Sequence, residues 1–273
     1  QGVLRLGWDH DRQLGEALFT TDAGGRATFD ETRLYLNSPD AAFHQTIGDP
    51  EGLHAIPSVG VRWYDHSVFD SEAAPHAGLV VARGGTRLHA AYARGISYPG
   101  LNVIAFSQNV IPALGAGWEE LDAERVEHLE AGLTQDVGKR AEASLTLFRD
   151  SARDRYVFFR RGAGGPPNTW ANIEHGRIHG AEAAVTVRPL DDLSLFAGLT
   201  YLDAEPNDLP YTPQWTAAAG LTAQLHERVR WTLDAQYVDD MPVLSQARLL
   251  NAVNTRSVDS YILVNTKVSL DVG

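Results

Sequence analysis

The chain has 273 residues, a formal net charge of −12 and no cysteine. Its acidic balance argues against nucleic-acid binding, which usually needs a clustered basic face, and the lack of cysteine excludes disulfides and thiolate metal sites. No apolar run approaches the ~18 residues that a membrane-spanning helix needs. The first residues also lack the basic and apolar regions of a signal peptide, so we expect a mature form or a fragment.

Alternation of apolar and polar residues predicts about twelve strands. Successive side chains on a strand point to opposite faces, so such a pattern gives a strand one apolar and one polar face. The pattern is clearest in 229–237, where valine, tryptophan, leucine, alanine and tyrosine alternate with arginine, threonine, aspartate and glutamine. The predicted strands lie near 2–9, 41–48, 53–67, 75–83, 86–96, 123–136, 139–150, 170–188, 192–203, 213–225, 229–239 and 258–270.

The connections between the predicted strands alternate in length. Four of them are short polar turns, at 84–85, 137–140, 189–192 and 226–228. Four others are long and rich in Gly, Pro, Asn and Asp, at 97–121, 151–168, 203–213 and 240–257. Short turns at one end and long loops at the other are typical of outer-membrane β-barrels. We place residues 11–40 in a long outer loop, in which 28–36 forms a hairpin arm.

Two features favour lipid, rather than the core of a soluble sandwich, as the environment of the apolar face. Each alternating run lasts about nine or ten residues, the length of a tilted strand that crosses a bilayer. The apolar residues are mainly small and aliphatic, with aromatic residues near strand ends, where such rings meet lipid headgroups: Trp63, Tyr92, Tyr201, Trp215, Trp231 and Tyr237. The predicted fold class is therefore all-β, an antiparallel up-and-down transmembrane β-barrel segment. Residues 1–273 form a single domain, because no linker divides them.

Several short motifs, in order along the chain, resemble segments of the TonB-dependent receptors. VGVRWYD at 59–65 and ARGISYPG at 93–100 match the family's G-x-R-Y-D and A-x-G-x-x-x-P segments. NIEHGRIHGAE at 172–182 is similar to its N-x-G … G-x-E strand, and LPYTP at 209–213 to its x-P-x-x-P segment. WEELDAE at 118–124, followed by HLEAGL, resembles its L-x-x-E … E-x-G segment.

The resemblance implies a 22-stranded barrel, preceded by a plug domain and a short segment that contacts TonB. Such a receptor takes up a ferric chelate, cobalamin or a similar scarce nutrient through the bacterial outer membrane, with energy passed on by TonB. The family would place about eight strands before Gln1 and two after Gly273, and we expect the plug domain to lie outside residues 1–273. Twelve strands from a wider barrel carry the wrong curvature for closure. We therefore expect an open antiparallel sheet, with strand 2–9 or 258–270 unpaired on one side.

Ligand contact is predicted in two of the long loops. Tyr98 and Trp118 lie at opposite ends of loop 97–121, and a second set lies at the start of loop 151–168: Arg155, Tyr156, Arg160 and Arg161. Arginines there would meet an anionic chelate, and aromatic rings would cover it. The alternative is a strand extension above the membrane, whose arginines meet lipopolysaccharide phosphates.

Other polar groups have ordinary interpretations. His175 and His179 are four residues apart, which on a strand separates them by roughly 13 Å, too far to share a metal ion. Adjacent Glu119 and Glu120 are expected at a solvated loop edge, because a glycosidase pair would come from separate strands. The sequence therefore predicts no metal, cofactor or catalytic site.

Three functions remain to be compared. Nutrient uptake by a TonB-dependent receptor is the first, with the lipid bilayer, lipopolysaccharide, a small chelate, and TonB through the plug region as partners. A stand-alone passive porin or adhesin-type barrel is the alternative, but the chain's end, DVG, is not the aromatic-terminated last strand of such a barrel. A soluble all-β enzyme would need a carboxylate or histidine constellation that the sequence does not show. The ligand itself is not specified by the barrel strands.

Overall fold

The chain folds almost entirely into antiparallel strands. The computed structural model describes residues 2–15, 18–20, 26–28, 32–105, 118–159, 169–243 and 255–272. The strands are β1 (Gly2–Gly15), β2 (Leu18–Thr20), β3 (Arg26–Thr28), β4 (Thr32–Gln45), β5 (Ile47–Gly48), β6 (His54–His66), β7 (Glu72–Arg83), β8 (Thr86–Ser97), β9 (Glu124–Val137), β10 (Ala141–Phe159), β11 (Thr169–Leu190), β12 (Leu193–Glu205), β13 (Trp215–His226), β14 (Val229–Val238), β15 (Met241–Pro242), β16 (Ser257–Val258) and β17 (Tyr261–Leu270). A single helical turn, α1 (Leu101–Ala105), lies between β8 and β9. It is far too short to cross a membrane, and the described residues contain no other helix.

One large sheet holds twelve principal strands in chain order: β1, β4, β6, β7, β8, β9, β10, β11, β12, β13, β14 and β17. The short β5 also pairs with β6, and β2–β3 and β15–β16 form two separate ribbons. Every pairing is antiparallel, and among the described residues β1 bonds only to β4 and β17 only to β14. The twelve-strand, up-and-down prediction is confirmed, and so is the open sheet with unpaired outer strands.

Three strands extend further than the sequence predicted. β1 continues to Gly15 and β4 begins at Thr32, so residues 11–15 and 32–40 form a ladder rather than part of a loop. β10 likewise continues to Phe159, so the assignment of a loop from residue 151 was wrong. Beyond the lipid-facing band, an extended strand needs no alternation of apolar and polar residues. Its polar sequence there resembles that of a loop, and this is why the sequence predicts a loop. The middle of segment 11–40 lies largely outside the described residues.

The short turns and the long connections lie at opposite edges of the sheet. The turns of two or three residues at 84–85, 138–140, 191–192 and 227–228 join strands that pair directly. Because the strands alternate in direction without a crossover, the connections beginning after residues 97, 159, 205 and 238 must all leave from the other edge. We call these the turn edge and the loop edge, and the predicted sorting of connections is confirmed.

One face of the sheet carries continuous apolar rows. Register partners in an antiparallel sheet share a face, and one such row crosses eight strands: Leu88, Leu133, Leu145, Ala183, Leu199, Ala217, Tyr237 and Ile262. These apolar side chains are not packed away, since Leu145 is 48% and Ile262 65% exposed. We call this side the apolar face. A surface of this size without a covering layer is typical of strands that face lipid.

Aromatic residues bound the apolar face at both edges. Towards the loop edge, Tyr201 and Trp215 are register partners whose ring centroids lie 4.6 Å apart. Towards the turn edge, the indole Nε1 of Trp231 donates a hydrogen bond of 3.0 Å to the Thr266 hydroxyl. Six residues separate Trp231 from Tyr237 on the same face, which spans about 20 Å of strand. This height suits the lipid-facing band of a membrane barrel.

The opposite face is polar and carries ion pairs between strands. Arg62 on β6 lies 3.2 Å from Asp9 and 3.4 Å from Asp40. Arg87 on β8 lies 2.8 Å from Glu142 on β10 and 3.3 Å from Asp136 on β9. We call this side the polar face. Side chains of this kind pair with one another and still reach water, so the face suits a water-accessible lumen rather than a dry core.

Candidate functional site

A compact group of buried side chains occupies the loop edge of the sheet. It consists of Leu34, Phe69, Val103, Ile104, Trp118 and Leu121, with Tyr98, Leu101, Tyr156 and Trp170 packed against it. We call it the loop-edge cluster. Its members come from β4, from α1, from the last residues of β10 and the first residues of β11, and from the connections after β6 and β8. The cluster therefore joins several outer connections into one packed unit above the sheet.

The ring of Tyr98 contacts two other rings, those of His66 and Phe69. Its ring stacks on His66 at a centroid distance of 4.7 Å and on Phe69 at 6.1 Å. Phe69 in turn meets Trp118 edge-on at 6.3 Å. The Tyr98 hydroxyl donates a hydrogen bond of 2.9 Å to the carbonyl of Asp70. These contacts hold the connection after β6 against the one after β8.

Burial at the cluster changes the acid–base properties of Tyr98 and of the neighbouring His66. It raises the pKa of Tyr98 to about 12, and the nearby carboxylates of Glu72 and Asp65 act in the same direction. Burial also lowers the pKa of His66, with a smaller opposing effect from Asp65. The phenol is therefore protonated and the imidazole neutral at pH 7.

Charged residues surround the cluster and connect β7, β9 and β10. Arg125 pairs with Glu72 and, at 2.6 Å, with Asp154. The backbone N–H of Tyr156 donates a hydrogen bond of 3.1 Å to the carboxylate of Glu124. Asp154 has a positive φ of 59°, which coincides with the register shift that follows Ala152 in the β10–β11 ladder. This bulge directs the end of β10 towards the cluster.

The side chain of Asn172 fixes the segment that carries Trp118. Its amide oxygen accepts a hydrogen bond of 2.8 Å from the backbone N–H of Asp122, and its amide nitrogen donates to the carbonyls of Asp122, at 3.0 Å, and of Asp154. One side chain on β11 thus satisfies backbone groups of both the connection before β9 and the bulge of β10. Such local bonds position a loop more strictly than its own sequence would.

Two cavities open on the polar face near the cluster. The first, of about 230 Å³, is lined by Asp11, Gln13, Tyr64, His66 and Tyr98 among others. The second, of about 280 Å³, is lined by Glu124, Asp150, Arg155, His175 and Leu209 among others. Both combine apolar walls with a few polar groups, which is the usual make-up of a small-molecule site.

The structure brings together three of the six residues that the sequence predicted as ligand contacts. Tyr98, Trp118 and Tyr156 all belong to the loop-edge cluster, where Trp118 is only 7% exposed and Tyr98 and Tyr156 are half-buried. Arg155 is exposed and borders the second cavity instead. Arg160 and Arg161 lie outside the described residues. Ligand contact by these six residues stays a prediction.

Sequence reasoning missed His66, Phe69 and Leu34, which surround Tyr98. The segment around Phe69 connects β6 to β7 and is short, so it was not counted among the outer loops. Because the strands alternate in direction, every second connection must lie at the loop edge. This rule places the segment between β6 and β7 at that edge. Leu34 was missed because it fell in the segment that was assigned to a loop.

The remaining polar groups that the sequence singled out are exposed. His175 and His179 are exposed on β11, and Glu119 and Glu120 are exposed beside the buried Trp118. Within the described ranges, no group of three or more histidine and carboxylate side chains is arranged to hold a metal ion.

The open antiparallel sheet, its lipid-type apolar face and its two unequal edges define the wall of a transmembrane β-barrel. The family profile described as "TonB dependent receptor-like, beta-barrel" matches residues 52–273. The chain belongs to this family of receptors. A search of curated proteins finds no match.

Solved structures share the fold at low sequence identity. The siderophore receptor PirA from Pseudomonas aeruginosa matches the whole chain at 17% identity with a TM-score of 0.69, over 48% of its own length. A mutant of the ferric enterobactin receptor PfeA from the same organism gives 18% identity and a TM-score of 0.74, over 44% of its length. The copper transporter OprC gives 15% and 0.70, over 46%. The chain thus spans about half the length of these proteins.

Proposed function

We propose that this chain is part of the barrel wall of an active-transport receptor in the bacterial outer membrane. The receptor would take up a scarce nutrient, such as a ferric chelate or cobalamin, with energy supplied through TonB. The observation that carries the proposal is the family match over 52–273, on a sheet with an apolar row that crosses eight of its twelve principal strands. Structures with this fold include receptors named for siderophores and a transporter named for copper.

The two faces and two edges give the wall an orientation. The apolar face would contact the hydrocarbon, with Tyr201, Trp215 and Trp231 at the levels of the headgroups. The polar face would line the lumen, where Arg62 and Arg87 keep their ion pairs hydrated. The loop edge would face the outside of the cell and the turn edge the periplasm, which is the layout of outer-membrane barrels.

The whole chain, residues 1–273, is proposed to act as one partial barrel domain. Its partners would be the lipid bilayer and lipopolysaccharide on the apolar face, and a small chelate at the loop edge. TonB would act through the plug region that the family resemblance implies. We assign the chain a transport role and no catalytic one.

The loop-edge cluster is the proposed place of first contact with the nutrient. Two cavities near the cluster open onto the polar face, so a ligand held there would already lie at the mouth of the lumen. Tyr98, Tyr156 and Arg155 offer ring faces and a guanidinium at this level. Trp118 would support the site from below, and Arg160 and Arg161 would add two positive charges to the same connection.

Uptake of radiolabelled nutrient by whole cells tests the proposal. Cells with the intact gene, cells without it, and cells that lack TonB would be given labelled ferric chelates and labelled cobalamin in turn. We expect accumulation of one of them to require both the gene and TonB. Restoring the gene on a plasmid should restore uptake, which serves as the control for indirect effects of the deletion.

A different result would favour the other class of barrel. A passive porin admits solutes down their gradient, so its uptake would persist without TonB and would rise linearly with solute concentration. Uptake that depends on the gene but not on TonB would therefore overturn the proposed active transport while leaving the barrel fold intact.

A further inference from the structure

The first of the two cavities near the cluster, of about 230 Å³, is walled by aromatic rings and apolar side chains. Tyr64 and Tyr98 both line it, and their rings have centroids 6.5 Å apart and an interplanar angle of 65°, so they form two adjoining walls. Leu34, which is 3% exposed, and the fully buried Pro99 are further apolar walls. We call this space the ring cavity. It is smaller than the ~300–1,000 Å³ of sites that enclose a whole drug-sized ligand, so it suits one group of a ligand.

The charge that lines the ring cavity is negative. Among the described residues, the lining contains one side chain that is charged at pH 7, the exposed carboxylate of Asp11. This carboxylate accepts a hydrogen bond of 3.2 Å from the amide of Gln13, which leaves its charge in place. The basic residue nearby on the polar face, Arg62, is already paired with Asp9 at 3.2 Å and with Asp40 at 3.4 Å.

The charges around the ring cavity add to this negative potential. Burial is the main cause of the raised pKa of Tyr98, and three nearby carboxylates act in the same direction: Glu72, Asp65 and Asp70. The guanidinium of Arg125 opposes them, but it is itself bound to Glu72 and, at 2.6 Å, to Asp154. The carboxylates around the Tyr98 ring therefore outnumber the cations.

The arginines of β1 and β4 at this level belong to the other face of the sheet. Arg12 and Arg33 alternate with Asp11 and Leu34 along the two strands, so their side chains leave from the opposite side. The Arg12 guanidinium lies over the ring of its register partner Tyr35, 5.9 Å from the centroid. A positively charged group in the ring cavity would thus meet Asp11 without a competing arginine on the same face.

We propose that the ring cavity binds a cationic amine group of the nutrient, such as a substituted ammonium. Aromatic ring faces attract organic cations, and the Asp11 carboxylate supplies the opposite charge. A bare divalent metal ion fits less well, because it needs several oxygen or nitrogen ligands and the lining offers a single carboxylate. This inference rests on the proposed function, and it names the class of nutrient that the receptor would select.

Ligand-observed NMR of the receptor that contains this chain, purified in detergent, tests the ring cavity. Three probes share one shape and differ in charge: choline, its neutral analogue in which carbon replaces the ammonium nitrogen, and the anion tert-butylacetate. We expect choline to bind at least about fivefold more tightly than the neutral analogue, and the anion to bind most weakly. Equal affinity for choline and the neutral analogue would overturn the proposal, and so would the absence of choline binding.

Substitutions separate the contribution of the charge from that of the ring. Asp11→Asn removes the charge at constant size and should weaken choline binding at least about fivefold, with little effect on the neutral analogue. Tyr64→Leu removes a ring face, and Tyr64→Phe, which keeps it, should bind choline more tightly than Tyr64→Leu. Because Asp11 is exposed, its variant should fold even if Tyr64→Leu does not.

The matched control is Glu51→Gln, which removes one exposed carboxylate at the turn edge and changes the total charge equally. Its affinity for choline should match that of the wild type. Equal losses in Asp11→Asn and Glu51→Gln would show a general charge effect and overturn the site. Unchanged choline binding in Asp11→Asn would overturn it as well.

Uptake by whole cells distinguishes failure of this inference from failure of the proposed function. If a nutrient accumulates only with both the gene and TonB, but the wild-type receptor does not prefer choline to its neutral analogue, only the assignment of the ring cavity is overturned. If the receptor prefers choline but no uptake requires TonB, the proposed active transport is wrong and the cation site stands.

Discussion

The imidazole of His66 stacks on the phenol ring of Tyr98, with centroids 4.7 Å apart and an interplanar angle of 24°. In the sheet, β7 lies between β6 and β8. His66 ends β6 and Tyr98 follows the end of β8, so this contact bridges the loop-edge end of β7. The stack therefore connects outer segments that backbone pairing alone would leave separate.

Removal of the Tyr98 ring should loosen the outer connections without unfolding the sheet. In Tyr98→Ala, the stack with His66, the contact with Phe69 and the bond to the Asp70 carbonyl are all lost. We expect a local cost of about 1–3 kcal/mol, seen as faster protease cleavage at the loop edge. Tyr98→Phe keeps both ring contacts and should remain close to the wild type. Equal sensitivity of the two variants would mean that the hydroxyl, not the ring, holds the connections.

Acidification should weaken the same contact through His66. Because burial lowers its pKa, the folded protein binds a proton less readily than the unfolded segment does. The stabilisation by neutral His66 is thus fully present above the ordinary histidine pKa of about 6.5, and it is lost as pH falls through the lowered value. NMR titration of the imidazole, with protease sensitivity followed in parallel, measures this. A His66→Phe variant should lose the pH dependence, whereas His226→Gln at the turn edge should keep it.

Asn172 should be required for the position of Trp118. Asn172→Ala removes one acceptor and two donor interactions with backbone groups of Asp122 and Asp154, at an expected cost of about 1–3 kcal/mol. Hydrogen exchange of the Asp122 amide should become faster, and Trp118 fluorescence should shift to longer wavelength as water enters. The control is Asn265→Ala, which removes a 2.9 Å bond to Asp234 far from the cluster. Unchanged exchange at Asp122 would show that packing alone positions the segment.

Substitutions on β14 should distinguish the two faces of the wall. Leu233 pairs with Leu221 and Thr266 on the apolar face, so Leu233→Arg places a charge in hydrocarbon at a cost of about 2–4 kcal/mol. Gln236 lies on the polar face, where an arginine stays hydrated and should cost within about 1 kcal/mol. Reversible unfolding from lipid vesicles measures both.

Spin labels at the same two positions test the environment directly. A label at Leu233 should be relaxed by oxygen dissolved in lipid, and one at Gln236 by a water-soluble reagent. If both labels respond to the water-soluble reagent, the assignment of the apolar face to lipid is wrong.

The sheet could be predicted because the residue patterns that specify it, alternation along a strand and short turns, are local and periodic. In β14, the alternation from Val229 to Tyr237 specifies the faces, and the turns at 84–85 and 138–140 specify the pairing, helped by Gly84 and Gly138 at positive φ. The extended ends of β1, β4 and β10 could not be predicted in this way, because outside the lipid band nothing enforces an apolar face. There the ladder of hydrogen bonds continues without a sequence pattern to mark it.

The cluster could be predicted only in part. Tyr98, Trp118 and Tyr156 were singled out as aromatic residues at loop ends, and the structure unites them. Their partners, Leu34 on β4 and Phe69 on the connection after β6, are distant in sequence, so only the strand order brings them near. Whether these rings contact a ligand or only support the loops depends on chemistry that strand patterns do not encode.

The unequal edges of the sheet also bear on how such a wall is assembled. Each turn of two or three residues closes a hairpin at little entropic cost, so pairs such as β7–β8 and β11–β12 can form early as local units. Apart from β6–β7, whose connection is short, the pairs across the loop edge need long polar segments to be carried through the hydrocarbon before the strands can meet. Insertion should therefore advance one hairpin at a time, and the passage of each outer segment, rather than strand pairing, should set its rate.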